Sequence, residues 1–214
     1  DFKYEADIVR SVGKIITNGH LAKGYKPVHW CTECSSALAE AEVEYKDKES
    51  DAVDVAFEVI DSAVFGVKKP VSIVIWTTTP WTLPANEAVA LHPDLDYVLI
   101  DLKDQYYLLA EDLYEDALER FNVQAASKLD KIYKGSDLEG IMLQHPFYDK
   151  QIPVIMGEHV TTETGTGAVH TSPAHGQDDY IVSLKYNLPV DCPVDGRGVF
   201  IESTEHVAGE YIFK

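Results

Sequence analysis

A chain of 214 residues with 45% hydrophobic content is long enough to bury one full core with a small appendage. Its formal net charge of -18, from 36 acidic against 18 basic residues, excludes a broad groove for a nucleic-acid backbone, which needs clustered Lys and Arg to displace counterions. With no apolar run of about eighteen residues and no basic, apolar leader in Asp1-Phe-Lys-Tyr-Glu5, a soluble cytoplasmic monomer with no membrane partner is expected.

In chain order, residues 5–23 place Ile8, Val12, Ile15 and Ile16 on one helical face, with Gly24 as the stop, and predict a docking helix. Cys31-Thr-Glu-Cys34 has zinc-knuckle spacing and follows Val28-His-Trp30 as a strand enters a knuckle. A structural zinc takes four ligands, and no second such pair follows, so the sequence holds half a site or two free thiols in a turn. With Cys192 the cysteines number three, too few for a disulfide framework.

Residues 39–45 and 52–60 alternate small or apolar with acidic residues and predict two half-buried strands, joined by the charged stretch 46–51. Further strands are expected at 71–76, 97–102 and 106–109, the last two joined by the polar turn 103–105. Leu113, Ala117 and Leu118 recur at helical spacing within 111–121, which should cover one side of the sheet. Short strands follow at 132–133, 141–143, 152–156 and 167–170, then a helix over 177–186, and the chain stops in a strand-like 210–214. Short strands with helices inserted, and no regular βαβ repeat, predict an α+β fold: a β-barrel-like core with inserted and peripheral helices. The missing initial Met and the strand-like end suggest an excised piece of a longer chain.

Two segments carry chemistry. In Trp76-Thr-Thr-Thr-Pro-Trp-Thr-Leu-Pro-Ala-Asn86, Pro80 ends an apolar strand and presents the hydroxyls of Thr77, Thr78 and Thr79 at its mouth, where each can donate and accept. Trp81 can stack on a ligand ring or close the core, and Asn86 can bond a base edge or a turn. In Gly165-Thr-Gly-Ala-Val-His-Thr-Ser-Pro-Ala-His-Gly-Gln-Asp-Asp-Tyr180 the glycines allow close backbone approach, and His170 ends a strand. Asp178 and Asp179 open a helix, so one can cap it and the other face a pocket. A nucleophilic triad lacks its G-x-S-x-G elbow, and a metal site from His170, His175 and Asp179 has irregular spacing. The chemistry that stays open is orientation of a water against an already reactive ester.

At these two segments, and at Ser36-Ala-Leu-Ala-Glu-Ala-Glu-Val-Glu-Tyr45, the chain closely resembles the isoleucyl-tRNA synthetases in the editing domain inserted into their catalytic Rossmann fold. The likeness runs from Lys26 to the end. Valyl and leucyl relatives carry Arg after the Thr pair, an acid where Trp81 stands and Lys or Met in place of His170, so this chain sides with the isoleucyl type. The resemblance implies hydrolysis of valine mischarged on isoleucine tRNA, with valyl-adenylate as a second candidate substrate. For these synthetases it is the established case of a second, smaller pocket destroying what a one-methylene discrimination lets through.

By resemblance, Thr77, Thr78, Thr79 and Asp179 form the catalytic set. Asp179 takes the substrate's α-ammonium, the threonines with Thr82 hold the substrate and its water, and His170 narrows the pocket against isoleucine. Trp81 and Asn86 line it for the terminal adenosine or for shape. The implied partners are the 3′ acceptor end of isoleucine tRNA and the rest of the synthetase. Residues 1–46 would be a connecting helix and half-knuckle segment, and 47–214 the deacylase domain. No cofactor is expected for this chain alone: zinc, its other ligands beyond the C-terminus, and ATP with Mg belong to the full-length enzyme, since HIGH-like and KMSKS-like segments are absent. Two alternatives are a non-catalytic acceptor-end binding module, against which the retained threonines and Asp179 argue, and a free-standing trans-editing deacylase, against which the acidic charge argues.

Overall fold

The computed structural model describes residues 1–47, 49–123 and 125–213. Helix α1 (Phe2–Thr17) starts where the Asp1 carboxylate accepts the Lys3 N–H and ends at Asn18, whose N–H closes on the Lys14 and Ile16 carbonyls. It stops short of the expected Lys23. Ile8, Val12, Ile15 and Ile16 form the predicted stripe, but each is about half exposed, and α1 buries no residue against the other described residues. Strands β1 (Trp30–Cys31) and β2 (Ser36–Ala37) make the knuckle hairpin.

The strand expected at 39–45 does not form. Its place holds a 3-10 turn, Glu40–Glu42, in which the Glu42 carboxylate accepts the Ala39 N–H at 2.7 Å. Alternation of Ala with Glu offers too little apolar area to reward a ladder. Lys48, inside the predicted connection, lies outside the described residues.

The body is β3 (Val53–Val59), β4 (Val71–Thr77), β5 (Ala88–Leu91), β6 (Asp96–Asp101), β7 (Tyr106–Ala110), helix α2 (Tyr114–Arg120), β8 (Ser127–Lys134), β9 (Met142–Gln144), β10 (Gln151–Met156), β11 (Ala168–Thr171) and helix α3 (Gln177–Tyr186). The strands form one mixed sheet in the order β11-β5-β10-β9-β3-β4-β7-β6-β8, with β4/β7 and β5/β10 parallel and the other neighbours antiparallel. Its main core gathers Phe57, Ile73, Ile75, Leu91, Leu99 and Leu143 on one face. On the other face, Val74, Val98 and Leu109 pack under α2, while Ala88, Ala90 and Ile155 meet Val182 of α3. Cover on both faces is why β4 reads as a continuous apolar run and not an alternation.

The α+β class holds, but the barrel does not close. The sheet curls until β11 packs beside β4, yet no ladder joins them, and the order ends openly at β11 and β8. The β8 edge carries Lys128, Asp130 and Lys131 outward, charges that discourage another strand from adding. Those charges also hid all but two residues of β8 from the alternation pattern. Residues 210–213 pair through an isolated bridge, Tyr211 to Val199, in place of the expected strand, and Lys214 lies outside the described residues. Among the described residues no helix is long and apolar enough to cross a membrane.

Candidate functional site

The two segments singled out from sequence meet at one end of the sheet. Strand β4 ends at Thr77, and Pro80 opens a 3-10 helix, Pro80–Ala85. The Thr77 hydroxyl oxygen accepts the Thr79 N–H at 3.1 Å and lies 3.3 Å from the Thr79 hydroxyl. Thr82 gives its hydroxyl proton to the Thr79 carbonyl at 2.8 Å. Its oxygen, 3.1 Å from His170 Nε2, is therefore left to accept, which puts the imidazole proton on Nε2. His170 Nδ1 is buried without a partner. Burial, with His175 and His145 nearby, holds the His170 pKa down at about 4, so the ring is neutral at pH 7.

Two further bonds stitch the segments together. The Ser172 hydroxyl donates to the Thr82 carbonyl at 2.7 Å, across ninety residues of sequence, and the Ser172 N–H donates to Asp179 Oδ2 at 2.8 Å. Asp179 thus stands in the first turn of α3 but turns back toward β11. Burial raises its pKa, while the Ser172 N–H and the nearby His159 work to keep it ionised. Gly176 gives the carboxylate room, because a Cβ there would lie 3.0 Å from the Asp179 carboxyl carbon. Asp178 is exposed, and the expected cap is not made: the N-cap is Gly176, with no side-chain bond. Asp178 is left with the helix dipole alone.

Beside this cluster is a cavity of about 250 Å³, walled by Trp76, Thr77, Thr78, His159, Thr164 and residues 165–169. Gly165 and Gly167 sit at φ +89° and +76°, and a Cβ on Gly167 would stand 2.3 Å from that of Ala110, so the close approach read from sequence is made. Val169 packs against the core under α3. His170, the next residue along the strand, turns to the opposite face and Thr82.

The predicted residues are therefore distributed. Thr77 and Thr78 line the cavity, and Thr79, Thr82, His170 and Asp179 make the adjoining cluster. Asn86 is fully buried and spends its amide N–H groups on the carbonyls of Ala88, at 2.9 Å, and Thr171, at 3.5 Å, bracing β5 against β11. Trp81 lies apart, edge-on to His175 at 5.2 Å, on the wall of a separate cleft of about 570 Å³ shared with Trp30 and Cys192.

Sequence reasoning missed His159. Its Nε2 is buried without a partner, and its ring lies over Gly157, where a Cβ would come within 2.5 Å. No spacing could have flagged it, although the hydroxyl-rich stretch 161–166 could have flagged the wall beside it. Also unforeseen is the Cys192 Sγ to His175 Nε2 approach of 3.8 Å, with the His175 pKa held down at about 4 by burial.

At the knuckle, the Cys34 N–H points at Cys31 Sγ at 3.4 Å and lowers the Cys31 pKa, while Cys34, hydrogen-bonded to Cys31, is raised. Among the described residues no group of three His, Cys, Asp or Glu could hold a metal, so two thiols alone face any zinc, and His170, His175 and Asp179 do not form a metal cluster. Purified protein is expected to carry less than one zinc per chain and to lose it to a mild chelator. Tight one-to-one zinc by elemental analysis would show that ligands such as His29 or Cys192 close around the pair.

The chain is similar to known proteins in both sequence and fold. It is 63% identical over 214 residues to the isoleucine-tRNA ligase of Ruthia magnifica subsp. Calyptogena magnifica, and 56% identical over 225 residues to that of Coxiella burnetii. All of this chain is covered in both alignments, but it spans only 23% and 24% of those relatives' lengths. Among solved structures it resembles GlLeuRS-CP1, with TM-score 0.54 and 21% identity over 72% of this chain and 69% of that one. It also resembles the P. knowlesi cytosolic leucyl-tRNA synthetase editing domain, with TM-score 0.52 and 16% identity over 60% and 59%. The fold is thus that of these domains. The family described as tRNA synthetases class I (I, L, M and V) matches residues 1–136, well over half of the chain, and the chain belongs to that family.

Proposed function

We propose that this chain hydrolyses the ester of valine mischarged on isoleucine tRNA, as the editing part of an isoleucine-tRNA ligase. The observation that carries this reading is the network Thr79–Thr82–His170 and Thr82–Ser172–Asp179, in which hydroxyls, a neutral imidazole and a half-buried carboxylate converge from two distant segments. Asp179 has lone pairs left on Oδ1 for the α-ammonium. Its partial burial makes that ion pair stronger than it would be in water. The threonine hydroxyls orient a water toward the ester carbonyl and accept or donate as charge shifts to the leaving ribose oxygen.

No covalent intermediate is needed, because an aminoacyl ester is already activated. His170 fills the aminoacyl end beside Thr82 and excludes the extra methylene of isoleucine. The hydroxyl-lined cavity at Thr77 and Thr78 adjoins this cluster and takes the terminal nucleoside, a role left open by Asn86 and Trp81, which are engaged elsewhere. The partner is the acceptor end of the tRNA, brought in by the rest of the ligase, since a surface of net charge -18 cannot gather a nucleic acid by itself. Release of labelled valine from valyl-tRNA(Ile) by the full-length ligase that carries this chain, measured beside release of isoleucine from isoleucyl-tRNA(Ile), tests the reading. Selective loss of valine is expected, and equal or absent hydrolysis of both would overturn it.

A further inference from the structure

We propose that Arg120 is a positioning residue for the cavity wall, holding the Gly165 carbonyl and hence the 165–167 loop against Thr77 and Thr78. The inference rests on the cavity being part of the substrate site. Arg120 is the last residue of α2, and its Nε and Nη2 donate to Asp54 Oδ2 and Oδ1 at 2.8 and 2.7 Å. The same Nη2 reaches the Gly165 carbonyl at 3.2 Å. Asp54 pairs with Trp76 in the β3/β4 ladder, and the Trp76 Cβ is 3.4 Å from where a Gly165 Cβ would stand. Asp54, Trp76, Gly165 and Arg120 therefore close a ring behind the cavity.

The Ala110 N–H holds the Thr166 carbonyl at 2.9 Å and the Tyr97 hydroxyl holds the Gly167 carbonyl at 2.7 Å, so Arg120 supplies the contact at the Gly165 end of the loop. Gly165 and Gly167 are in the left-handed region, and this turn stands before β11 begins, outside the sheet's ladders. A planar guanidinium can grip a carboxylate with two parallel bonds and still spare an N–H for a carbonyl, which an ammonium cannot match in geometry. The side chains of Arg120 and Asp54 are 32% and 19% exposed, so the pair is screened less than a surface one.

The experiment compares wild type, Arg120→Lys and Arg120→Gln, each within the full-length ligase that presents the tRNA. Lys128→Gln serves as a control: it breaks the similarly exposed Lys128 to Glu111 pair, at 2.8 Å, which does not touch the cavity. Deacylation of valyl-tRNA(Ile) is read as kcat and KM, and amide hydrogen exchange is read on the peptide covering 163–168. Both Arg120 variants should raise KM by about tenfold with kcat within about threefold, and should speed exchange in that peptide, while the control changes neither. If Arg120→Gln does not fold, Arg120→Lys, which keeps the charge beside Asp54, decides alone. Unchanged KM and unchanged exchange in a folded variant would overturn the proposal. If wild type releases no valine, the hydrolase reading falls by itself, and the exchange rates still decide whether Arg120 holds the loop.

Discussion

Asp179→Ala is expected to abolish release of valine from valyl-tRNA(Ile), by about a hundredfold or more, in a protein that still unfolds in one cooperative transition. Removing one member of a buried charge pair leaves the substrate ammonium desolvated and unmatched, which is among the larger single-residue effects. The fold should tolerate the change because Asp179 belongs to no hydrophobic core cluster and bonds the Ser172 N–H at a strand end. Asp179→Asn refines the test. The amide oxygen can still accept from Ser172, so loss of activity with intact structure would isolate the charge.

The pH dependence has a definite sign. Burial raises the Asp179 pKa in the folded protein above its ordinary value, so between those two values the folded state binds the proton more tightly than the unfolded one. Asp179 thus favours folding most at low pH, and its contribution is lost as pH rises from the ordinary value through the raised one. Asp179→Asn should therefore flatten this part of the stability profile and melt no lower than wild type at pH 7. Deacylation should run the other way, falling on acidification once the carboxylate takes up its proton. An Asn variant with full activity would remove Asp179 from the site.

His170→Ala is expected to gain hydrolysis of correctly charged isoleucyl-tRNA(Ile) while keeping much of the activity on valyl-tRNA(Ile). Its ring is buried at the end of β11 and is tied to Thr82, so truncation opens space where the aminoacyl side chain is proposed to lie. A general base makes the opposite forecast, a parallel loss on both substrates of roughly a hundredfold. The geometry disfavours the base: with Nε2 donating to Thr82 and the pKa near 4, His170 is a weak proton acceptor at neutral pH. Two rates measured side by side decide. Parallel loss would rule out the size filter. The lost hydrogen bond and the new void should cost about 1–3 kcal/mol of stability in either case.

What the sequence determined by itself were the features written in local chemistry. Apolar runs fixed β4, β7 and β10, the acidic opening at Gln177-Asp-Asp marked α3 with its observed bounds, and Pro80 together with Gly165 and Gly167 marked where strands stop and loops close in. The hydroxyl run Thr77 to Thr79 and the pair His170 and Asp179 stood out because such residues seldom crowd the ends of apolar strands. Tertiary structure alone decided which face each one serves. Side chains alternate along a strand, so Val169 packs with Ala88, Ala90 and Val182 while His170 turns to Thr82, and no local pattern could tell which face the sheet would give to each. It also recruited His159 and Arg120, lone residues without a motif, and it consumed Asn86 as a brace because a buried backbone carbonyl must find a donor. The open sheet has the same origin: alternation sets which face of a strand is buried, but whether the two edge strands meet depends on register and tilt summed over nine strands, a property of the whole chain and of no segment.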